Sequence, residues 1–236
     1  MIHNRIGFSD ERTESRVSLL KQRTIAGLHD FVADKVLRRC SPAGGPALDL
    51  GAGSGALAVR LRGLGWEVLA ADINMPEYKA DVPFVELNLN QPDFAAQLGE
   101  RKFGLVTAFE VIEHVESPIG FLRNVGRLLK PTGLAVLTTP NVDNAPARLK
   151  FLLTGKLRMM DENSDLTHIS PIFWDLFQRQ YLQRVGLTLM ERHVYPTNGY
   201  KVTRPRYAWA VRALGWLLAG DCLEGDNHVF VLQPRS

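Results

Sequence analysis

Three side chains able to do chemistry follow a short apolar segment of this 236-residue sequence: Glu110, Glu113 and His114. If a helical turn begins at Glu110, positions i, i+3 and i+4 share one face, so two carboxylates and an imidazole meet. This set predicts a divalent-metal site, although magnesium prefers oxygen ligands and imidazole suits manganese, iron or zinc better. A metal-free alternative stays open, in which the Glu and His side chains pack or cap. His114 or His168 is then the candidate general base, because an imidazole titrates near neutral pH.

A glycine-rich stretch, residues 47–56, supplies the second group of candidates. Its pattern predicts a short buried strand that runs into a turn, followed at once by a helix over 55–64. Gly51, Gly53 and Gly55 let the backbone take positive φ and let a ligand approach the main chain closely. The free N–H groups at the start of the helix point toward that ligand. The stretch therefore predicts a nucleotide-binding turn at the end of a first strand.

The residues around this turn narrow the choice of nucleotide. The dinucleotide-binding fingerprint has glycine at the position of Ala56. The alanine therefore argues against a nicotinamide oxidoreductase. Acidic Asp49 lies just before the turn, and Asp72 ends the next strand candidate. A carboxylate at position 72 can accept hydrogen bonds from both hydroxyls of a ribose.

In these motifs the sequence resembles the class I S-adenosylmethionine-dependent methyltransferases. The resemblance rests on four segments in the family's order, 48–55, 109–114, 128–131 and 138–141, and covers about residues 45–142. It implies S-adenosyl-L-methionine as the cofactor and assigns cofactor binding to Asp49, Gly51, Ala52, Gly53, Asp72, Ile73, Asn88, Leu89, Phe109 and Glu110. Asn88 departs from the aspartate that the family often has there, so an alternative stays open in which Asn88 only shapes a turn.

The segment after the fourth strand candidate refines what the resemblance implies. It looks like that of the ubiquinone-type O-methyltransferases, in which the positions of Glu110, Glu113 and His114 are taken as magnesium ligands. It is also similar to the metal-dependent small-RNA 2′-O-methyltransferases, which add a later histidine, and His168 is the candidate here. An oxygen nucleophile would attack the methyl group in line, while a metal lowers the pKa of the hydroxyl or a histidine accepts its proton.

The function expected from these residues is S-adenosylmethionine-dependent O-methylation of a small-molecule or lipid-linked acceptor. RNA 2′-O-methylation is one alternative, although the net charge of +3 argues mildly against nucleic acid as a partner. A cofactor-binding module that lacks catalysis is a further alternative.

The elements that position these residues alternate between strands and helices, which is typical of a parallel sheet. The predicted strands are 46–50, 67–72, 83–87, 103–109, 133–139, 187–194 and 228–233. The predicted helices are 55–64, 92–98, 117–130, 171–185 and 206–218, with one or two more within 17–39. The resemblance implies an α/β, Rossmann-like, seven-stranded and mostly parallel sheet. Its strand order would be 3-2-1-4-5-7-6, with the last strand antiparallel and helices on both faces.

The expected organisation is an N-terminal helical cap, 1–45, followed by a methyltransferase domain, 46–236. The cap begins with an arm that carries Arg5, Arg12 and Arg16, and solvated surface is the favoured interpretation of these charges.

Residues 141–170 are predicted to form a lid over the acceptor, because long loops in compact domains are often functional. Within the lid, 147–153 could form a helix that meets a lipid-linked or anionic substrate, with packing onto the core as the favoured use. Ser170 and Pro171 predict the N-cap and first position of the next helix.

Residues 204–220 combine two Trp, three Arg and regularly spaced Leu. This pattern is typical of an interfacial amphipathic helix, although core packing or a dimer face remains the alternative. The run is too short to span a bilayer. Two cysteines give no disulfide framework, so a reducing cytoplasmic location is expected. If 204–220 is an interfacial helix, the protein would also contact a membrane surface through it.

Overall fold

The structure, a computed structural model, describes residues 20–162, 164–202, 211 and 223–235, and a seven-stranded sheet runs through its centre. Its strands are β1 (Ala47–Leu50), β2 (Val68–Asp72), β3 (Phe84–Glu86), β4 (Phe103–Phe109), β5 (Leu129–Pro140), β6 (Leu187–Tyr195) and β7 (Asn227–Pro234). They lie in the order β3-β2-β1-β4-β5-β7-β6, and only β7 is antiparallel to its neighbours. The predicted fold class and strand order are confirmed.

Helices pack on both faces of this sheet. They are α1 (Leu28–Lys35), α2 (Ala56–Gly63), α3 (Pro118–Leu128), α4 (Ala145–Thr154) and α5, which runs from Trp174–Leu176 through a π-helical turn at Phe177–Tyr181 to Leu182–Val185. Short 3₁₀ turns lie at Leu37–Arg39, Pro42–Gly44, Met75–Glu77 and Phe94–Leu98. The prediction of a full helix over 92–98 is wrong, because the segment between Pro92 and Gly99 holds only a short 3₁₀ turn.

Side chains from the two faces of the sheet form two cores, because successive strand residues point to opposite sides. In β7, Phe230 and Leu232 pack with residues of α3 and α5, whereas Val229 and Val231 pack with residues of α1 and α2. The described part of the predicted N-terminal cap therefore shares a core with the sheet.

The helix predicted over 171–185 begins at Trp174, so its predicted capping is wrong. The Ser170 hydroxyl donates to the Val115 carbonyl oxygen at 2.6 Å and caps no helix. The Trp174 N–H instead donates to Oδ2 of Asp143 at 3.2 Å. Tertiary hydrogen bonds thus override the local Ser-Pro signal.

The lid segment, 141–170, contains α4, whose packing differs from the favoured expectation. Its first turn is buried, but Phe151, Leu152 and Leu153 are 54%, 77% and 73% exposed. The expectation that 147–153 packs onto the core is therefore wrong for the second half of α4.

Two predicted features fall outside the described residues: the arginine arm with Arg5, Arg12 and Arg16, and the amphipathic insert, 204–220, apart from Val211. The helix predicted over 206–218 belongs to the same part of the chain. Across the described ranges, no helix has the length and apolarity needed to cross a membrane.

Candidate functional site

The candidate site is a cavity of about 1410 Å³ at the carboxyl ends of β1, β2 and β4. Open α/β sheets bind ligands at this edge, where the strand order reverses between β1 and its two neighbours. All ten residues assigned to the cofactor line the cavity, and so do His114 and His168. Glu113 is the one predicted site residue that does not line it.

The glycine turn after β1 combines a tight backbone with open space. Gly51, Gly53 and Gly55 all have positive φ, at 69°, 52° and 90°. A Cβ atom on Gly51 would lie 2.4 Å from a Val111 methyl carbon, whereas a Cβ on Gly53 would meet no atom of the described residues within 4 Å. Because Gly53 also lines the cavity, a ligand can approach its backbone closely.

The end of β2 is bound to this turn through the Asp72 carboxylate. Its Oδ2 atom accepts the Gly53 N–H at 2.8 Å, and its Oδ1 atom accepts the Asn74 N–H at 2.9 Å. A carboxylate has about four lone-pair directions, so both oxygens can each accept one more hydrogen bond. Asp72 is thus oriented by the backbone and still able to accept from a ligand.

Beyond Asp72, the cavity edge carries both apolar and amide groups. Ile73 is 59% exposed and lines the cavity together with Leu89. The Oδ1 atom of Asn88 accepts the Asn90 N–H at 2.9 Å, so this side chain shapes a turn and also faces the cavity.

Asp49 is a buried carboxyl group at the end of β1. Its Oδ1 atom accepts a hydrogen bond from the Thr107 hydroxyl at 2.8 Å. Its Oδ2 atom has no hydrogen-bond partner within the described part of the chain. Burial raises the pKa of Asp49 to about 7, because a carboxylate loses its hydration there.

Glu110 is held in an unusual backbone conformation, with φ at 55°. Its carboxylate accepts hydrogen bonds from the Thr138 hydroxyl at 2.8 Å and from Nδ2 of Asn227 at 2.6 Å. Burial raises the pKa of Glu110, and these two donors oppose the shift. The Glu110 carboxylate is therefore hydrogen-bonded to residues of both β5 and β7.

A different triad converges in place of the predicted set of Glu110, Glu113 and His114. Glu113, His114 and His168 each offer one ligand-type atom within 4.8 Å of the others. The two histidine rings are edge to face, with 4.6 Å between centroids. His168 thus occupies the place expected of Glu110.

Glu113 contributes a buried carboxylate to this triad. Its Oε2 atom accepts from the Thr139 hydroxyl at 3.0 Å, while its Oε1 atom has no hydrogen-bond partner in the residues that the structure describes. Burial, reinforced by Glu110, raises the pKa of Glu113 well above its ordinary value. Burial also lowers the pKa of His114, and the neighbouring His168 adds to this.

His29 is a cavity residue that the sequence did not reveal. It belongs to α1, is buried, and lies edge-on to Phe109 with 5.3 Å between centroids. Burial lowers its pKa to about 4, so the ring is neutral at pH 7. Its only sequence signal was one polar residue on the apolar face formed by Leu28 and Val32.

Two further segments complete the walls of the cavity. Residues 21–25 line the cavity next to the glycine turn, where the Ser54 hydroxyl donates to the Lys21 carbonyl oxygen at 2.8 Å. Arg23 of the same segment pairs with Glu77 at 2.6 Å. On the lid side, the apolar lining residues are Pro146, Leu149 and Leu153 of α4 together with Met159, Val202 and Val211.

Known proteins match this chain over much of its length. A family model described as a methyltransferase domain matches residues 22–192. The ubiquinone biosynthesis O-methyltransferase of Xanthomonas axonopodis pv. citri is 32% identical over 142 residues, which cover 57% of this chain and 58% of the relative. The protein of the same name from Cereibacter sphaeroides is 37% identical over 101 residues, 40% of each chain. This chain therefore spans less than two thirds of the curated relatives that it matches.

Solved structures share the fold at low sequence identity. An S-adenosylmethionine-dependent methyltransferase from Archaeoglobus fulgidus superposes with a TM-score of 0.56 at 16% identity, over 87% of this chain and 94% of that one. An O-methyltransferase family protein from Burkholderia thailandensis gives 0.57 at 16% identity, over 97% and 60%. Together with the glycine turn and Asp72, the family match confirms the predicted family: the chain belongs to the methyltransferase domain family, that of the class I S-adenosylmethionine-dependent methyltransferases.

Proposed function

We propose that this protein transfers a methyl group from S-adenosylmethionine to an oxygen atom of a small-molecule or lipid-linked acceptor. The observation that carries the proposal is one cavity lined by both the glycine turn and the pair His114 and His168. At about 1410 Å³, the cavity exceeds the roughly 300–1,000 Å³ typical of a single small ligand. It therefore has room for a cofactor and an acceptor side by side.

The residues at the glycine turn fit S-adenosylmethionine. Gly53 leaves free space at the backbone, and Asp72 keeps lone pairs for a ribose diol. The Oδ2 atom of Asp49, which has no partner among the described residues, would be satisfied by a donor such as an ammonium group. Ile73 and Leu89 offer apolar surface to an adenine ring.

The chemistry supplied by the cofactor is a methyl group bound to a sulfonium. The protein then has to orient the acceptor hydroxyl, exclude water and remove the proton. His114 is the proposed base, with His168 beside it. The Nδ1 atom of His168 lies 2.7 Å from the Met159 carbonyl oxygen, which only accepts, so its Nε2 atom carries the lone pair.

The same triad also fits a divalent cation. Glu113 supplies a buried carboxylate oxygen without a partner in the described ranges, and His114 and His168 supply imidazoles. These donors suit manganese, iron or zinc better than magnesium. A bound ion would lower the pKa of the acceptor hydroxyl.

The proposed acceptor is phenolic and carries an apolar chain. The curated relatives are named for ubiquinone biosynthesis, and the lid side of this cavity is lined by Leu149, Leu153 and Val202. Leu152 and Leu153 extend this apolar surface to the protein exterior. Peripheral membrane contact through 204–220 remains a prediction, because that segment lies almost entirely outside the described residues.

Calorimetric titration with S-adenosylhomocysteine, with NAD as the comparator, tests the cofactor. Micromolar binding of S-adenosylhomocysteine alone is expected. Methyl transfer is then measured with a catechol that carries a short prenyl chain, with and without EDTA. Binding without transfer to any acceptor would favour a cofactor-binding module without catalysis, and NAD binding in place of S-adenosylhomocysteine would refute the proposal.

RNA 2′-O-methylation is the second candidate, and the position of His168 beside Glu113 and His114 favours it. A short RNA with a free terminal 2′-hydroxyl is the probe. Methyl transfer to this RNA but not to the catechol would replace the first proposal with the second.

A further inference from the structure

His114 is held by the lid segment, which is distant in sequence. Its Nδ1 atom lies 3.1 Å from the Thr167 carbonyl oxygen and 2.8 Å from the Thr167 hydroxyl oxygen. A carbonyl oxygen only accepts hydrogen bonds, so Nδ1 carries the proton and Nε2 carries the lone pair. The contact joins residues 53 positions apart, so it depends on the fold.

The Thr167 hydroxyl can only accept a hydrogen bond from this histidine. It donates its own proton to Oδ1 of Asp165 at 2.6 Å, and the Thr167 backbone N–H donates to the same oxygen at 2.9 Å. A hydroxyl has a single proton, so only its lone pairs remain for His114. A local Asx turn accounts for the bonds between Asp165 and Thr167, but not for the placement of the hydroxyl against His114.

Backbone hydrogen bonds fix both sides of this contact. The N–H groups of Ile169 and Ser170 donate to the Glu113 carbonyl oxygen at 3.0 and 2.9 Å. The Ser170 hydroxyl donates to the Val115 carbonyl oxygen. The segment that carries Thr167 is thus tied to the residues on either side of His114.

We propose that Asp165 and Thr167 are positioning residues for methyl transfer. They hold the His114 imidazole with its proton on Nδ1, so that the Nε2 lone pair is available to the acceptor hydroxyl or to an ion. This inference rests on the proposed function, in which His114 serves one of these two roles. A ring protonated on Nε2 has its lone pair on Nδ1, which faces Thr167, so its Nε2 atom can serve neither role.

The kinetic test compares variants of Thr167 with the prenylated catechol as acceptor. Thr167→Val keeps the carbonyl contact but loses the hydroxyl, and kcat is expected to fall about 2- to 10-fold, the worth of one hydrogen bond. The KM for S-adenosylmethionine should stay unchanged. Thr167→Ser should remain within about twofold of the wild type, as should Thr188→Val, an exposed control on β6.

The structural test uses two-bond ¹H–¹⁵N NMR of the ligand-free protein labelled at histidine, with His114→Gln to assign the signal. The wild type should show the Nδ1–H tautomer of His114. In Asp165→Ala the Thr167 hydroxyl is free to donate, so the Nε2–H population should rise.

An Nε2–H ring in the wild type would overturn the proposal, and so would an unchanged kcat in Thr167→Val. The absence of methyl transfer to every acceptor would instead refute the proposed function, and the role of both residues with it. The NMR result separates these outcomes, because it needs neither cofactor nor acceptor.

Discussion

Asp49 is a residue whose charged form should lower the stability of the ligand-free fold and favour ligand binding. The group is fully buried, accepts one hydrogen bond from Thr107, and presents an Oδ2 atom without a partner among the described residues. Ionisation of Asp49 therefore destabilises the ligand-free fold. A donor on the cofactor would compensate, so the residue is suited to the bound state.

Asp49→Asn should stabilise the ligand-free protein in a pH-dependent way. Because the folded-state pKa of about 7 lies above the unfolded value, the wild type loses stability as pH rises toward 7, and the variant does not. Between pH 5 and 8 the advantage of the variant should grow by about 2.5 kcal/mol, or roughly 5–10 °C in Tm. Thermal scans at several pH values measure it. Asp81→Asn, at an exposed carboxylate, is the control, and a constant Tm difference would contradict the expectation.

Two glycines of the turn should differ in whether substitution by alanine mainly weakens ligand binding or mainly lowers stability. In the described part of the chain, the Cβ added by Gly53→Ala meets no atom within 4 Å. The substitution should therefore cost only about 1–2 kcal/mol for its positive φ but weaken S-adenosylhomocysteine binding about tenfold or more. Gly51→Ala meets Val111 at 2.4 Å and should lower Tm more strongly. Calorimetry and thermal unfolding separate the two effects. The double variant Gly51→Ala/Val111→Ala should recover part of the lost stability, and its failure to do so would refute the steric account.

The site residues that the sequence could predict are those that lie next to the end of a strand. The glycine turn and Asp72 follow directly from strand ends, so their convergence on one cavity was predictable. His168 reaches Glu113 only through the lid, and Asn227 reaches Glu110 across 117 positions, so no local pattern contained these contacts.

At the scale of elements, helix α4 depends on a buried cap that links it to the start of β7. The Oδ1 atom of Asn144 accepts the Ala147 N–H at 2.9 Å, and its Nδ2 atom donates to the Gly225 carbonyl oxygen at 2.7 Å. This cap fixes the buried first turn of α4, from which Pro146 lines the cavity.

Asn144→Ala should therefore cost about 2–3 kcal/mol, because two buried backbone groups lose their partners. Ser117→Ala removes the exposed cap of α3 and should cost about 1 kcal/mol or less. Urea denaturation of both variants measures the difference. Equal losses would show that the link to Gly225 contributes nothing.

Element boundaries were less predictable than element types, for a physical reason. All seven strands were predicted from their apolar residues, but β5 begins at Leu129, where pairing with Phe103 extends it. The start of α5 was set by Asp143, which is distant in sequence. Such boundaries depend on tertiary partners that periodicity does not encode.

At the scale of the molecule, the antiparallel placement of β7 brings its first residue to the edge of the sheet where the candidate cavity lies. Asn227 pairs with Pro140 at the end of β5, and its amide reaches Glu110 at the end of β4. The parallel strands β1, β2 and β4 contribute their carboxyl ends to the same edge. One edge of the sheet thus gathers the site from residues spread along the chain.

When S-adenosylhomocysteine binds, hydrogen exchange should slow at this edge of the sheet and stay unchanged at the opposite edge. Added protection is expected in 51–55, in 72–74 and in 21–25, because these segments line the cavity at or next to the glycine turn. Amides at the opposite edge, such as Gly104, whose N–H donates to the Pro46 carbonyl oxygen, should exchange as before. Exchange monitored by mass spectrometry, with and without ligand, measures both groups. Uniform protection of the whole sheet would indicate global stabilisation alone, and protection confined to β6 and β7 would place the ligand elsewhere.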